Sequence, residues 1–183
     1  MTMKRKLNIF GFTTAIAAAL LLATTSFAGN YGKKQDDIVD TAVANGNFTT
    51  LAAALEAGGL IDTLKADGPY TVFAPTDEAF SRVPQATLNA VMMDENRPLL
   101  QKVLTYHVVP GRVTSADLVK LIREGGGKAM LTTVEGGQLT FTLKDGNVMI
   151  MGKNGSSAWV TQADVMQSNG VIHVVNGVLM PAM

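Results

Sequence analysis

The chain has 183 residues, 47% of them hydrophobic and 16% charged, with no cysteine and with 15 Lys and Arg balancing 15 Asp and Glu. That length fits one domain, and that composition builds a core and not a disordered chain. Absent cysteine excludes disulfide scaffolds, thiolate metal sites and cysteine nucleophiles, and the balanced charge argues against a basic nucleic-acid binder.

The balance is unevenly spread. Lys4, Arg5 and Lys6 precede an uncharged apolar run from Ala15 to Ala23, which ends in the small-residue stretch Ser26-Phe27-Ala28. A basic flank, an apolar centre and a small-residue exit make a secretory signal peptide, with cleavage expected after Ala28. The run is shorter than a membrane span and is diluted by Thr24, Thr25 and Ser26. Cleavage would leave 155 residues with 12 basic and 15 acidic side chains, a net charge of −3. The expected product is a mildly acidic domain, secreted or periplasmic, without stable membrane insertion and without a charge basis for binding nucleic acid.

Residues 29–35 read as a short polar lead, and the domain is expected over 36–183. Asp36 or Asp37 is placed to cap a helix carrying Ile38, Val39, Ala42 and Val43 on one face. Asn47 is placed to cap a second helix with Phe48, Leu51, Ala52 and Leu55, stopped by Gly58-Gly59. One further turn holds Leu60, Ile61 and Leu64. Tyr70-Thr71-Val72-Phe73-Ala74 reads as a buried strand, after which Thr76 caps a short helix with Asp77 and Glu78 in its first turn. Leu88, Val91 and Met92 mark another helix. A longer one from Pro98 buries Leu99, Leu100, Val103 and Leu104, with His107 on or beside that face if the helix continues. Thr114 and Asp117 form a capping box for a helix holding Leu118, Leu121 and Ile122.

After Gly125-Gly126-Gly127 the period changes from helical to two. Met130 to Val134, Gln138 to Lys144, Asn147 to Gly152, Ala158 to Met166 and Val171 to Val175 read as strands, with hairpin signals at Glu135-Gly136-Gly137 and Asp145-Gly146. Helices dominate the first half and antiparallel strands the second, so the fold class is α+β in one domain.

Little in the chain points to catalysis. The two histidines, His107 and His173, stand far apart in sequence, and no metal-binding His motif accompanies them. Structural histidines held by hydrogen bonds explain both, with metal binding or general-base work as the alternative. The triple glycine before Lys128 lacks the spacing of a phosphate loop and follows a helix, so it reads as a linker. Eight of the ten methionines survive cleavage, and Met149 and Met151 alternate with Val148 and Ile150 in one strand. Apolar residues on both faces require a second cover, either a layer of helices or a groove open to an apolar ligand or a partner.

Two segments carry a resemblance. Tyr70-Thr71-Val72-Phe73-Ala74-Pro75-Thr76-Asp77-Glu78-Ala79-Phe80 resembles the first signature box of fasciclin domains, and Asn169 through Pro181, with Val171-Ile172-His173-Val174-Val175 at its centre, resembles the second. Tyr106-His107 matches the family's Tyr-His motif between them. The resemblance implies a fasciclin-like wedge of two antiparallel or mixed β-sheets with several packed helices. It also implies a non-enzymatic, cofactor-free role in cell adhesion or in surface and matrix interaction, with a cell-surface or matrix protein or polysaccharide as partner. Tyr106, His107, Val108 and Val109 match the segment implicated in surface binding in animal members, although Tyr and His at the end of an apolar helix also suit a core-facing role. Some fasciclin-family proteins carry pigments, so an apolar small molecule such as a carotenoid or lipid, held near Met149 and Met151, is the alternative. Asp77 stands where the family often has Asn, and Asn176 where Asp is frequent nearby; each leaves the local hydrogen bonding open.

Overall fold

The computed structural model describes residues 36–44, 46–66 and 68–182. The export signal expected over 1–28, the cut expected after Ala28 and the polar lead expected over 29–35 lie outside the described residues.

Among the described residues are seven α-helices, a 3-10 turn over Asp94–Asn96 and seven strands, with helices dominating the first half and strands the second as the periodicity predicts. The helical part comprises α1 (Ile38–Ala44), α2 (Thr49–Gly58), α3 (Ile61–Lys65), α4 (Asp77–Ser81), α5 (Gln85–Met92), α6 (Arg97–Tyr106) and α7 (Ser115–Glu124), with β1 (Tyr70–Pro75) and β2 (Val108–Pro110) set among them. Strands β3 (Lys128–Thr132), β4 (Gln138–Lys144), β5 (Asn147–Met151), β6 (Ser157–Gln167) and β7 (Gly170–Val175) complete the chain. Local chemistry sets most boundaries. Gly59 ends α2 with φ of 66°, a left-handed conformation that glycine adopts without a Cβ penalty. Thr114 and Asp117 close their capping box at the start of α7, as expected. Helix α6 stops at Tyr106, so His107 is its C-cap and not part of a longer helix.

The strands form one hydrogen-bonded order, β2-β1-β7-β6-β5-β4-β3. The two expected sheets are its two halves, joined through the long β6. Strand β6 bends where its pairing with β7 shifts register between Val160 and Gln162 and again before Val165, as bulged strands do. The pair β1 and β7 is parallel, and every other pair is antiparallel. That parallel pair aligns the two signature boxes residue for residue, from Tyr70 against Gly170 to Pro75 against Val175.

Central placement buries both faces of β1 and β7. Val72, Ala74, Ile172 and Val174 face one core with α1, α2 and α6, through Ile38, Leu55 and Leu104 among others. Phe73 and Val175 face a second core with Leu118 and Ile122 of α7 and with Leu139, Phe141 and Ile150 of the second half-sheet. Phe73 meets Phe141 at a ring separation of 5.2 Å and stacks on His173 at 5.5 Å. Without disulfides, these two cores and their polar struts hold the domain together.

Candidate functional site

The Tyr-His segment lies inside the molecule. Tyr106 and His107 are 1% and 4% exposed, and Val108 and Val109 are equally buried. All four side chains are buried, which fits the core-facing role that the sequence also offered for Tyr106 and His107. The reason is topological: β2 pairs with β1 next to the sheet centre, setting Val108 against Val72 and Val109 against Thr71.

Each of the first two residues ties distant parts of the chain together. The Tyr106 hydroxyl donates to the Gln138 carbonyl at 2.9 Å and accepts from the Lys153 amide at 3.0 Å, joining α6 to β4 and to the β5–β6 turn. Its ring lies so close to Gly137 that a Cβ there would sit 2.6 Å from the ring, which explains the glycine. His107 bonds through Nδ1 to the Val103 carbonyl at 2.8 Å, while Nε2 accepts from the Leu179 amide at 2.9 Å. A carbonyl can only accept and an amide can only donate, so the imidazole is neutral with its proton on Nδ1. Burial lowers its pKa from 6.5 to about 4, against the smaller raising effect of the Val103 carbonyl.

His173 is built the same way. Its Nε2 donates to the Val113 carbonyl at 2.8 Å, and its Nδ1 accepts from the Asp164 amide at 3.3 Å. Burial again pushes the pKa down, opposed by Val113 and by the Asp164 charge. Asp164 sits in the β6 irregularity with φ of 59°, and its carboxylate receives the Ser115 amide and hydroxyl at the start of α7. Both nitrogens of each histidine are thus occupied by backbone, leaving neither ring free to take a proton from a substrate. Among the described residues, no group of three His, Asp or Glu side chains is arranged to hold a metal ion.

The first box has a capping role that the sequence did not disclose. Asp77 begins α4, whose own cap is the Thr76 hydroxyl, yet its carboxylate caps α2. It accepts from the Thr49 and Thr50 amides at 3.1 and 2.7 Å and from the Thr49 hydroxyl at 2.7 Å. Burial opposes the charge, but these bonds outweigh it and lower the pKa to about 2. Asn47, expected to cap α2, instead offers its backbone carbonyl to the Asp77 amide. In the second box, Asn169 caps α1 by accepting from the Ile38 amide and donates to the Leu64 carbonyl. Asn176 exchanges bonds with Trp159 at the end of β7, its side-chain oxygen taking the Trp159 amide at 2.9 Å. Only residue type hinted at these roles, because each partner is remote in sequence.

Met149 and Met151 share one half-buried face of β5, opposite the buried Val148 and Ile150. Pairing sets Met149 between Thr142 and Trp159, and Met151 between Thr140 and Ser157. Among the described residues, α7 is the helix that packs on this half-sheet, and it contributes Leu118 and Ile122 to the core on the other side, away from the two methionines. A separate apolar cavity of about 30 Å³ lies between α2, α4, α5 and α6, with Leu51, Phe80, Val91, Leu100 and His107 in its walls. That space is the size of one or two waters and is remote in kind from an elongated ligand site.

Two boxes paired in parallel at a sheet centre, braced by a buried Tyr-His pair, define an α+β domain whose two histidines are both held by backbone hydrogen bonds. The family model for the Fasciclin domain matches residues 46–181, and the chain belongs to that family. Protein sll1483 of Synechocystis sp. is 44% identical over 146 residues, covering 80% of this chain and 74% of the relative. The cell surface glycolipoprotein MPB83 of Mycobacterium bovis is 31% identical over 155 residues, covering 82% and 63%. The solved FAS1 domain pair from the insect cell adhesion molecule Fasciclin I matches with a TM-score of 0.70 at 20% identity, over 79% of this chain and 51% of that one. The chain therefore spans about half of that two-domain structure, and the likeness there is one of fold. Fasciclin-domain relatives include adhesion and cell-surface proteins, and no helix among the described residues is long and apolar enough to cross a membrane.

Proposed function

We propose that this chain is an exported fasciclin-domain protein, released by cleavage after Ala28, that binds a cell-surface or matrix component without catalysing a reaction. The observation that carries this is the use of its motifs: the boxes and the Tyr-His pair are consumed as internal struts, leaving the exterior of a rigid domain as the working part. The family's adhesion and surface relatives support the same role. Tyr106 through Val109 then contribute by holding the framework and not by touching the partner. The test is a binding isotherm of the labelled exported chain on native cell envelope, with N-terminal sequencing of the product. Saturable binding competed by unlabelled protein supports the role. Its complete absence with a folded domain refutes it.

An apolar-ligand role is the second reading, favoured by Met149 and Met151, which share a half-buried apolar face of β5. The chain purified from its native host and extracted with organic solvent decides: a stoichiometric pigment or lipid supports this role, and an empty extract refutes it.

A further inference from the structure

The outward face of the second half-sheet differs from the rest of the surface in two respects. Alternation along β3 to β6 places Met130, Met149, Met151 and Trp159 on the face opposite the core. Met130 is 66% exposed, Met149, Met151 and Trp159 are half-buried, and none of the four belongs to either core cluster. At about 4.8 Å per strand, these four strands give a platform roughly 14 Å wide. Met and Trp are the apolar types enriched where proteins dock, because they supply adaptable and rigid contact area respectively.

Charge supplies the second observation. Of the six described lysines, Lys65, Lys102 and Lys120 are ion-paired with carboxylates. The three without an ion pair are Lys128, Lys144 and Lys153, and all belong to this half-sheet or its turns. Lys128 and Lys144 share the outward face, at its β3–β4 end, and no Asp or Glu occupies an outward position in those four strands between Lys128 and Thr161. Lys153 follows Met151 at the opposite end. An apolar centre is thus flanked by three lysines outside any ion pair, with Asp145 of the β4–β5 turn following Lys144 in sequence, on a domain whose expected net charge is −3.

We infer that this face docks an acidic polypeptide segment, its apolar side chains lying on Met130, Met149, Met151 and Trp159 and its carboxylates meeting Lys128, Lys144 and Lys153. The inference rests on the interaction role proposed above and names its surface and partner class. A second copy fits poorly, since it would bring the same unpaired lysines together. An anionic membrane fits poorly because the rest of the domain carries the opposite excess.

Trp159 is the chain's single tryptophan, so its emission reports on this face alone. The exported chain is titrated with a synthetic peptide carrying a Leu-Phe-Leu centre and two Glu at each end, and with its Lys-flanked twin. The expected result is a saturable shift of Trp159 emission with the acidic peptide, weakened by salt, and binding at least about tenfold weaker with the basic twin. The variant K128E/K144E/K153E, altered only at exposed positions, inverts that preference, while its circular dichroism and denaturant midpoint report that it is folded. Equal binding of both peptides, or binding seen by calorimetry without a Trp159 response, overturns the inference. So does binding only to phosphatidylglycerol vesicles or polygalacturonate, or self-association that shifts Trp159. Envelope binding that persists in the charge-reversed variant sinks this face and leaves the interaction role standing; loss of all envelope binding by the unaltered chain sinks the role itself.

Discussion

Acid should loosen this domain through His107. The imidazole is wholly buried and neutral, with its bare Nε2 held by the Leu179 amide. Protonation there sets N–H against N–H and frees the C-terminal segment from the end of α6. The folded pKa is about 4 against 6.5 in the unfolded chain, so the unfolded state binds more protons between those values and stability rises with pH. The contribution is complete above pH 6.5 and is lost as pH falls toward 4, below which this group costs nothing further. At about 1.4 kcal/mol per pH unit, the gap amounts to roughly 3 kcal/mol, a large share of a typical domain's stability. Denaturant unfolding at steps from pH 7.5 to 4, compared with His107→Gln, measures it. The variant should be less stable by about 2 kcal/mol at pH 7.5, having lost a buried hydrogen bond, yet should lose about 3 kcal/mol less on acidification. His173 is lowered in the same direction and keeps a residual slope in the variant. An identical pH dependence in both proteins would refute the assignment of the neutral, buried imidazole.

Other substitutions probe the struts separately. Tyr106→Phe removes the hydroxyl that bridges Gln138 and Lys153 and should cost about 1–2 kcal/mol by denaturant midpoint, leaving envelope binding at saturating temperature-stable conditions unchanged. Asp77→Asn leaves fewer acceptor sites for the Thr49 and Thr50 donors and removes charge from the α2 N-terminus, costing about 1 kcal/mol at pH 7. That difference should shrink as pH falls from 3.8 through about 2, where the native carboxylate is itself protonated. Thr142→Val should raise stability by up to about 1 kcal/mol in thermal unfolding, because the Thr142 hydroxyl is buried without a hydrogen-bond partner.

Much of the architecture was legible from local signals. Gly59, the Thr114–Asp117 box and the alternation of Leu139, Phe141 and Leu143 state their conformations within a few residues, and the structure follows them. Strand β2 was not legible: three residues ending in Pro110 carry no period, and they become a strand by pairing with β1. Likewise, Met130 to Val134 reads as a strand from composition, but pairing with β4 starts it at Lys128 and ends it at Thr132.

The site residues divide along the same line. Sequence alone determined the family, the α+β class and the presence of apolar residues on both faces of β5, since these depend on motif order and side-chain period. Only the tertiary structure decided that Tyr106 and His107 face inward, that Asp77 caps a helix 28 residues earlier in the chain, and that the methionine face looks outward. Period assigns a residue to a face; which face meets the core depends on what the rest of the chain stacks against it. Here α7 and the central β1–β7 pair made that choice, leaving the lysines of β3 and β4 beside the methionine face turned away from the core.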